Sequence, residues 1–116
     1  MTRPPPAAPE SPAPAGFRNL TLELDHGCFH DLTWRLTLTT PDPDVSTLVQ
    51  RLVAGGWNTE TRLQTVVYVE SPHGHVLVVI PATGRLQLRL HYTTPGEARA
   101  RTAHAVAADI DRLASR

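Results

Sequence analysis

The sequence predicts a two-layer α+β domain: a mainly antiparallel, five-stranded sheet with two helices packed on one face, in the order ββαβββα. Three observations predict it. Five segments carry apolar residues with a strand-like period, two segments carry them at helical spacing, and the junctions hold glycine, proline or aspartate. A chain of 116 residues suffices for one such domain with an ordinary core, and for no more.

The elements follow in order. Leu20, Leu22 and Leu24 alternate with Thr21, Glu23 and Asp25, as in a half-buried strand. After a loop from His26 to Asp31 the alternation resumes with Trp34, Leu36 and Leu38, so the two segments form a hairpin candidate. Asp42 is suited to cap a helix entered at Pro43, a position where a missing N–H costs nothing. Val45, Leu48, Val49 and Leu52 give that helix its apolar stripe, and Gly55-Gly56 ends it. Leu63, Thr65, Val67 and Val69 then alternate with Arg62, Gln64, Val66, Tyr68 and Glu70 in a third strand, which is expected to lie at an exposed edge. Val76 to Ile80 is apolar on both faces, as in a central strand. In the fifth strand Leu86, Leu88, Leu90 and Tyr92 point inward, with Arg85, Gln87, Arg89 and His91 outward. Thr94-Pro95-Gly96-Glu97 reads as a capping box before a last helix with Ala103, Val106, Ala107, Ile110 and Leu113 on one stripe.

Residues 1–16 read differently. Six of the eleven prolines fall between Pro4 and Pro14 among alanines, a composition with little to bury, so this stretch is expected to be a disordered tail and 17–116 the single domain. The formal net charge is zero, which speaks against coating nucleic acid by bulk electrostatics. All eleven cationic side chains are arginine, the better bidentate ligand for carboxylate and phosphate. The longest apolar run is too short to cross a bilayer, the first residues lack the apolar core of a signal peptide, and Cys28 is the one cysteine. The expectation is a soluble cytoplasmic protein with no membrane contact.

Gly56-Trp57-Asn58, the run Arg62-Leu63-Gln64-Thr65-Val66-Val67, and Val78-Val79-Ile80-Pro81-Ala82-Thr83-Gly84-Arg85-Leu86 keep a joint spacing. Over Trp34 to Leu113 that spacing resembles one repeat of the TATA-box-binding protein fold. The resemblance implies a saddle-shaped sheet with nucleic acid on its open face. The positions matching the family's two wedging phenylalanines hold Leu63 and Pro81, there is one repeat, and a strand at Leu20–Asp25 precedes the matching region. Paired beside the Trp34 strand, that extra strand obstructs dimerisation in the family manner. A rival order places the first strand beside the fifth, as in profilin-like and longin-like adaptor domains, and the sequence leaves the two orders open.

Three constellations hold candidate chemistry. His26, Cys28 and His30 alternate, so an extended segment presents two imidazoles and a thiolate to one side, a zinc-like set that His73 or His75 can complete only if the loops share one end of the sheet. A pair of exposed histidine-bearing loops is the plainer reading, and no cofactor is expected. The outward sheet face gathers Arg35, Arg62, Gln64, Tyr68, Arg85, Gln87, Arg89 and His91, donors suited to carboxylate or phosphate beside an aromatic ring. Glu23 and Glu70 dilute its anion preference. Cys28 with a neighbouring histidine is the one nucleophile candidate, on a hairpin that makes a poor pocket. No GxSxG, HExxH or glycine-rich phosphate loop occurs. The expected function is therefore a non-enzymatic binding or adaptor module that meets a protein partner or a second copy through its sheet face or edge. Nucleic-acid binding by the face arginines is the alternative.

Overall fold

The computed structural model describes residues 16–25, 32–41, 44–62 and 65–115, the side chains at 61 and 62 aside. Its elements are β1 (Leu20–Leu24), β2 (Thr33–Leu38), α1 (Val45–Ala54), β3 (Asn58–Arg62), β4 (Val66–Glu70), β5 (Val76–Ile80), β6 (Arg85–Arg89), a short 3-10 turn (Gly96–Ala98) and α2 (Arg99–Ala114). The α+β class holds, with six strands where five are expected. Every neighbouring pair is antiparallel, and the order across the sheet is β1-β2-β6-β5-β4-β3.

The extra strand is β3. Its sequence, Asn-Thr-Glu-Thr-Arg, has no apolar alternation because it forms the sheet's edge and buries little. The third strand expected from Arg62 to Glu70 thus divides: Arg62 ends β3, Val66 opens β4, and Gln64 lies outside the described residues. The expected edge is corrected with it. Tyr68 is covered by β3 on one side and β5 on the other. β5 lies inside the sheet, as its two apolar faces require. The first strand pairs with the second at the opposite edge and does not lie beside the last strand, which decides the order left open above.

The strand side chains of one face meet the helices. Trp34, Leu36, Val69, Leu77, Val79, Leu86 and Leu88 are buried with Leu48 and Leu52 of α1 and Ala103, Ala107, Ile110 and Leu113 of α2. Each large aliphatic so buried contributes about 1.5–3 kcal/mol of transfer free energy. Trp57 closes the end of α1 within this core. The glycine that ends α1 lets α2 approach closely, to the point that a Cβ on Gly55 would stand 2.7 Å from Leu113 Cδ2.

The caps differ from expectation. Asp44, not Asp42, caps α1: its Oδ1 accepts the Thr47 N–H at 2.8 Å. That bond holds the Asp44 carboxyl below the ordinary aspartate range. Asp42 and Pro43 lie outside the described residues. No capping box forms at Thr94, because the 3-10 turn intervenes and no side chain caps either it or α2. Thr94 is instead buried, with its carbonyl accepting from Arg99 Nε at 3.0 Å. At the far end of α2 the Ala114 carbonyl accepts from the Arg51 guanidinium, which ties the helices together.

Asp111 anchors the start of the domain. It is 8% exposed, and its carboxylate accepts the backbone N–H groups of Arg18 at 3.0 Å and Asn19 at 2.7 Å. Asn19 Nδ2 adds a third donor at 3.1 Å. Beside it Phe17 stacks on His104, whose ring meets Trp34 edge-on. This network ties the chain entering β1 to α2.

Candidate functional site at the open sheet face

Among the described residues, helices cover one face of the sheet and leave the other open. Because strand side chains alternate, register alone assembles that open face in cross-strand rows. One row runs Glu23, Arg35, Gln87, Val78, Tyr68, Glu60 from β1 to β3. The next runs Thr33, Arg89, Val76, Glu70, Asn58. A third pairs Arg85 with Ile80, and Val66 with the backbone of Arg62 at the end of β3.

The rows enclose a shallow hollow of about 480 Å³. Val66, Val78 and Ile80 give it an apolar part, Tyr68 stands at one side, and Arg35, Arg85, Gln87, Arg89 and Asp25 line the other. Val78 is only 5% exposed although no helix covers it. Its neighbours in the row, Tyr68 and Gln87, flank it. The polar side is tied together: Arg89 Nε donates to Gln87 Oε1 at 2.9 Å, and Gln87 Nε2 donates to Asp25 Oδ2 at 3.3 Å. Arg35 lies 3.5 Å from Glu23, with both side chains more than half exposed.

The structure thus brings together Arg35, Tyr68, Arg85, Gln87 and Arg89 of the expected set. It places Arg62 at the end of the edge strand. His91 is set apart: it follows the end of β6, stacks on Tyr92 and bonds Thr93 Oγ1 at 2.7 Å. Tyr92, expected inward, is 77% exposed because the chain leaves the sheet after Leu90. Of the acidic members, Asp25 falls on the polar side of the first strand by alternation, whereas only register assigns Glu60 to this face.

Chemically, the hollow offers guanidinium donors, a phenol ring and aliphatic surface. Among described side chains of the face, Arg35, Arg85 and Arg89 are balanced by Glu23, Asp25, Glu60 and Glu70. The face is therefore charged without being basic.

At the end of the sheet beyond Arg89, His75 Nδ1 accepts the His91 N–H at 3.0 Å, which requires that nitrogen to be unprotonated. Burial, then the nearby His73 and His91, lower the His75 pKa. Among the described residues no group of three or more His, Cys, Asp or Glu is placed to hold a metal ion. His26, Cys28 and His30 lie outside them. No helix of the described residues is long and apolar enough to cross a membrane. Comparison of the chain with protein-family models, curated proteins and solved structures finds no match.

Proposed function

We propose that the protein is a non-enzymatic binding module that receives a protein partner on its open sheet face. The observation that carries this reading is the mixture within one hollow: an apolar part of Val66, Val78 and Ile80 beside Tyr68, rimmed by charges of both signs. Protein interfaces have this composition, with an apolar and aromatic centre inside a polar rim. Arginine and tyrosine are the types most often found at their energetic centres.

The face suits this role better than the edges do. β3 is five residues long and carries Glu60, and short charged edges resist strand addition. Nucleic acid on the same face is the second reading, favoured by Arg35, Arg85 and Arg89 and by the resemblance to the TATA-box-binding fold. The four carboxylates on that surface speak for protein, because phosphate binding rests on a cationic excess. A chain with one cysteine suits a reducing compartment such as the cytoplasm.

Photo-crosslinking in cells tests the reading. A photoreactive residue replacing Tyr68 should give protease-sensitive adducts, and the same residue replacing Asp109 on the exposed side of α2 should give none. Nuclease-sensitive adducts from position 68 would transfer the case to nucleic acid. Adducts from 109 alone would overturn both readings.

A further inference from the structure

The charges of the open face are arranged about β5. Arg89 on β6 and Glu70 on β4 are the two register partners of Val76. Arg35 on β2 and Glu60 on β3 stand two strands to either side of Val78, in the same row. Between β2 and β3, in both rows, the arginine lies towards β2 and the glutamate towards β3, while Glu23 of β1, beyond them, pairs with Arg35 within the chain. The apolar residues Val76, Val78 and Ile80 lie between them, along β5.

Such a surface is complementary to itself. When two copies stack face to face about a two-fold axis running along β5, each row falls on the same row of the second copy, reversed. Arg89 then meets Glu70 of the second copy, Arg35 meets its Glu60, and each contact occurs twice, as two-fold symmetry requires. Val78, nearly buried, falls beneath this contact opposite its own copy, and Tyr68 meets Gln87 beside the arginines. Arg85 falls opposite Val66, where its aliphatic stem packs without a charge partner. The other in-plane axis, across the strands, would place Arg35 on Arg35, and like charges disfavour it. β1 lies outside the overlap, so the edge it blocks plays no part.

We infer that the occupant of the open face is a second copy of this chain, docked about β5 with Arg35 and Arg89 paired to Glu60 and Glu70 of the other copy. The inference rests on the face being the working surface, and it adds the identity of the partner and its register. Five strands at ~4.8 Å spacing and five residues at ~3.4 Å rise span about 400 Å² per copy in plan, below the standard interface. The dimer is accordingly weak, and it loosens several-fold as salt screens the rim pairs.

Sedimentation of charge-exchanged chains tests it. Glu60→Arg with Glu70→Arg makes the facing charges all positive, and Arg35→Glu with Arg89→Glu makes them all negative. Each full-length variant alone should be monomeric at concentrations where the wild type dimerises, and an equimolar mixture should form a one-to-one heterodimer. Circular dichroism confirms the fold of each, and the single substitutions Glu70→Arg and Arg89→Glu, mixed likewise, serve if a double variant unfolds. A wild-type dimer whose variants do not reassociate on mixing would overturn this register. A wild type monomeric at several hundred micromolar would overturn self-association, and adducts from position 68 to a different protein would still uphold the face as a binding surface.

Discussion

Arg89 and Glu70 face the same valine from opposite sides: both are register partners of Val76, one strand away on β6 and on β4. Neither residue type nor spacing along the chain links the two. Pairing creates the relationship, and between β2 and β3 it sets arginines to one side of an apolar middle and glutamates to the other, with Glu23 of β1 and Asp25 at its end beyond the arginines.

The buried carboxylate of Asp111 should matter far more than its place on a helix suggests. Asp111→Ala leaves the Arg18 and Asn19 amides without their acceptor, at a cost of about 2–3 kcal/mol. Urea denaturation measures this, and a loss below about 0.5 kcal/mol, as at ordinary surface sites, would refute the anchoring role.

Stability should fall on mild acidification through His75. Its pKa is depressed in the folded chain, so between the folded and unfolded values the unfolded chain binds more protons and stability rises with pH. The contribution is whole above about 6.5, the unfolded value, and is lost as pH falls through the depressed one. His75→Gln removes the titration, so its Tm should decline less than that of the wild type between about pH 7.5 and 5. Parallel declines would show that His75 does not carry the effect.

Two glycines should answer differently to alanine. At Gly55 the new Cβ would stand 2.7 and 2.9 Å from the Leu113 methyls, and moving them costs about 1–3 kcal/mol. At Gly96 nothing lies within 4 Å, so the change stays within about 0.5 kcal/mol. Equal effects in thermal melts would contradict the close helix contact.

Arg35 should contribute little to folding and much to docking. Its ion pair with Glu23 is open to water, so a double-mutant cycle on folding should give under about 1 kcal/mol. Leu77→Ala in the core should cost about 2–5 kcal/mol. A coupling as large as the core loss would make Arg35 a structural residue.

Much of the fold was legible because burial imposes period. Leu20, Leu22 and Leu24, or Leu86 and Leu88, alternate since one face must meet the helices. Asn58–Arg62 escaped notice because an edge strand with little to bury shows no apolar alternation. Tyr92 continues the alternation of β6 after the chain has left the sheet, so pattern alone placed it wrongly. Asp44 and Asp42 are both plausible caps by type, and only backbone geometry distinguishes them. At the site the arginines, Tyr68 and Gln87 were visible as a polar face, whereas the place of Glu60 depends on a strand the pattern hid.

The central claim is that a second copy of this chain sits on the open face, about β5. A series of amide NMR spectra from about 20 μM to 1 mM tests it most directly. The predicted result is concentration-dependent shifts at Arg35, Tyr68, Val76, Val78, Gln87 and Arg89, with α2 unmoved. Shifts confined to α2 or to the β1 edge, or none across the series, would contradict it.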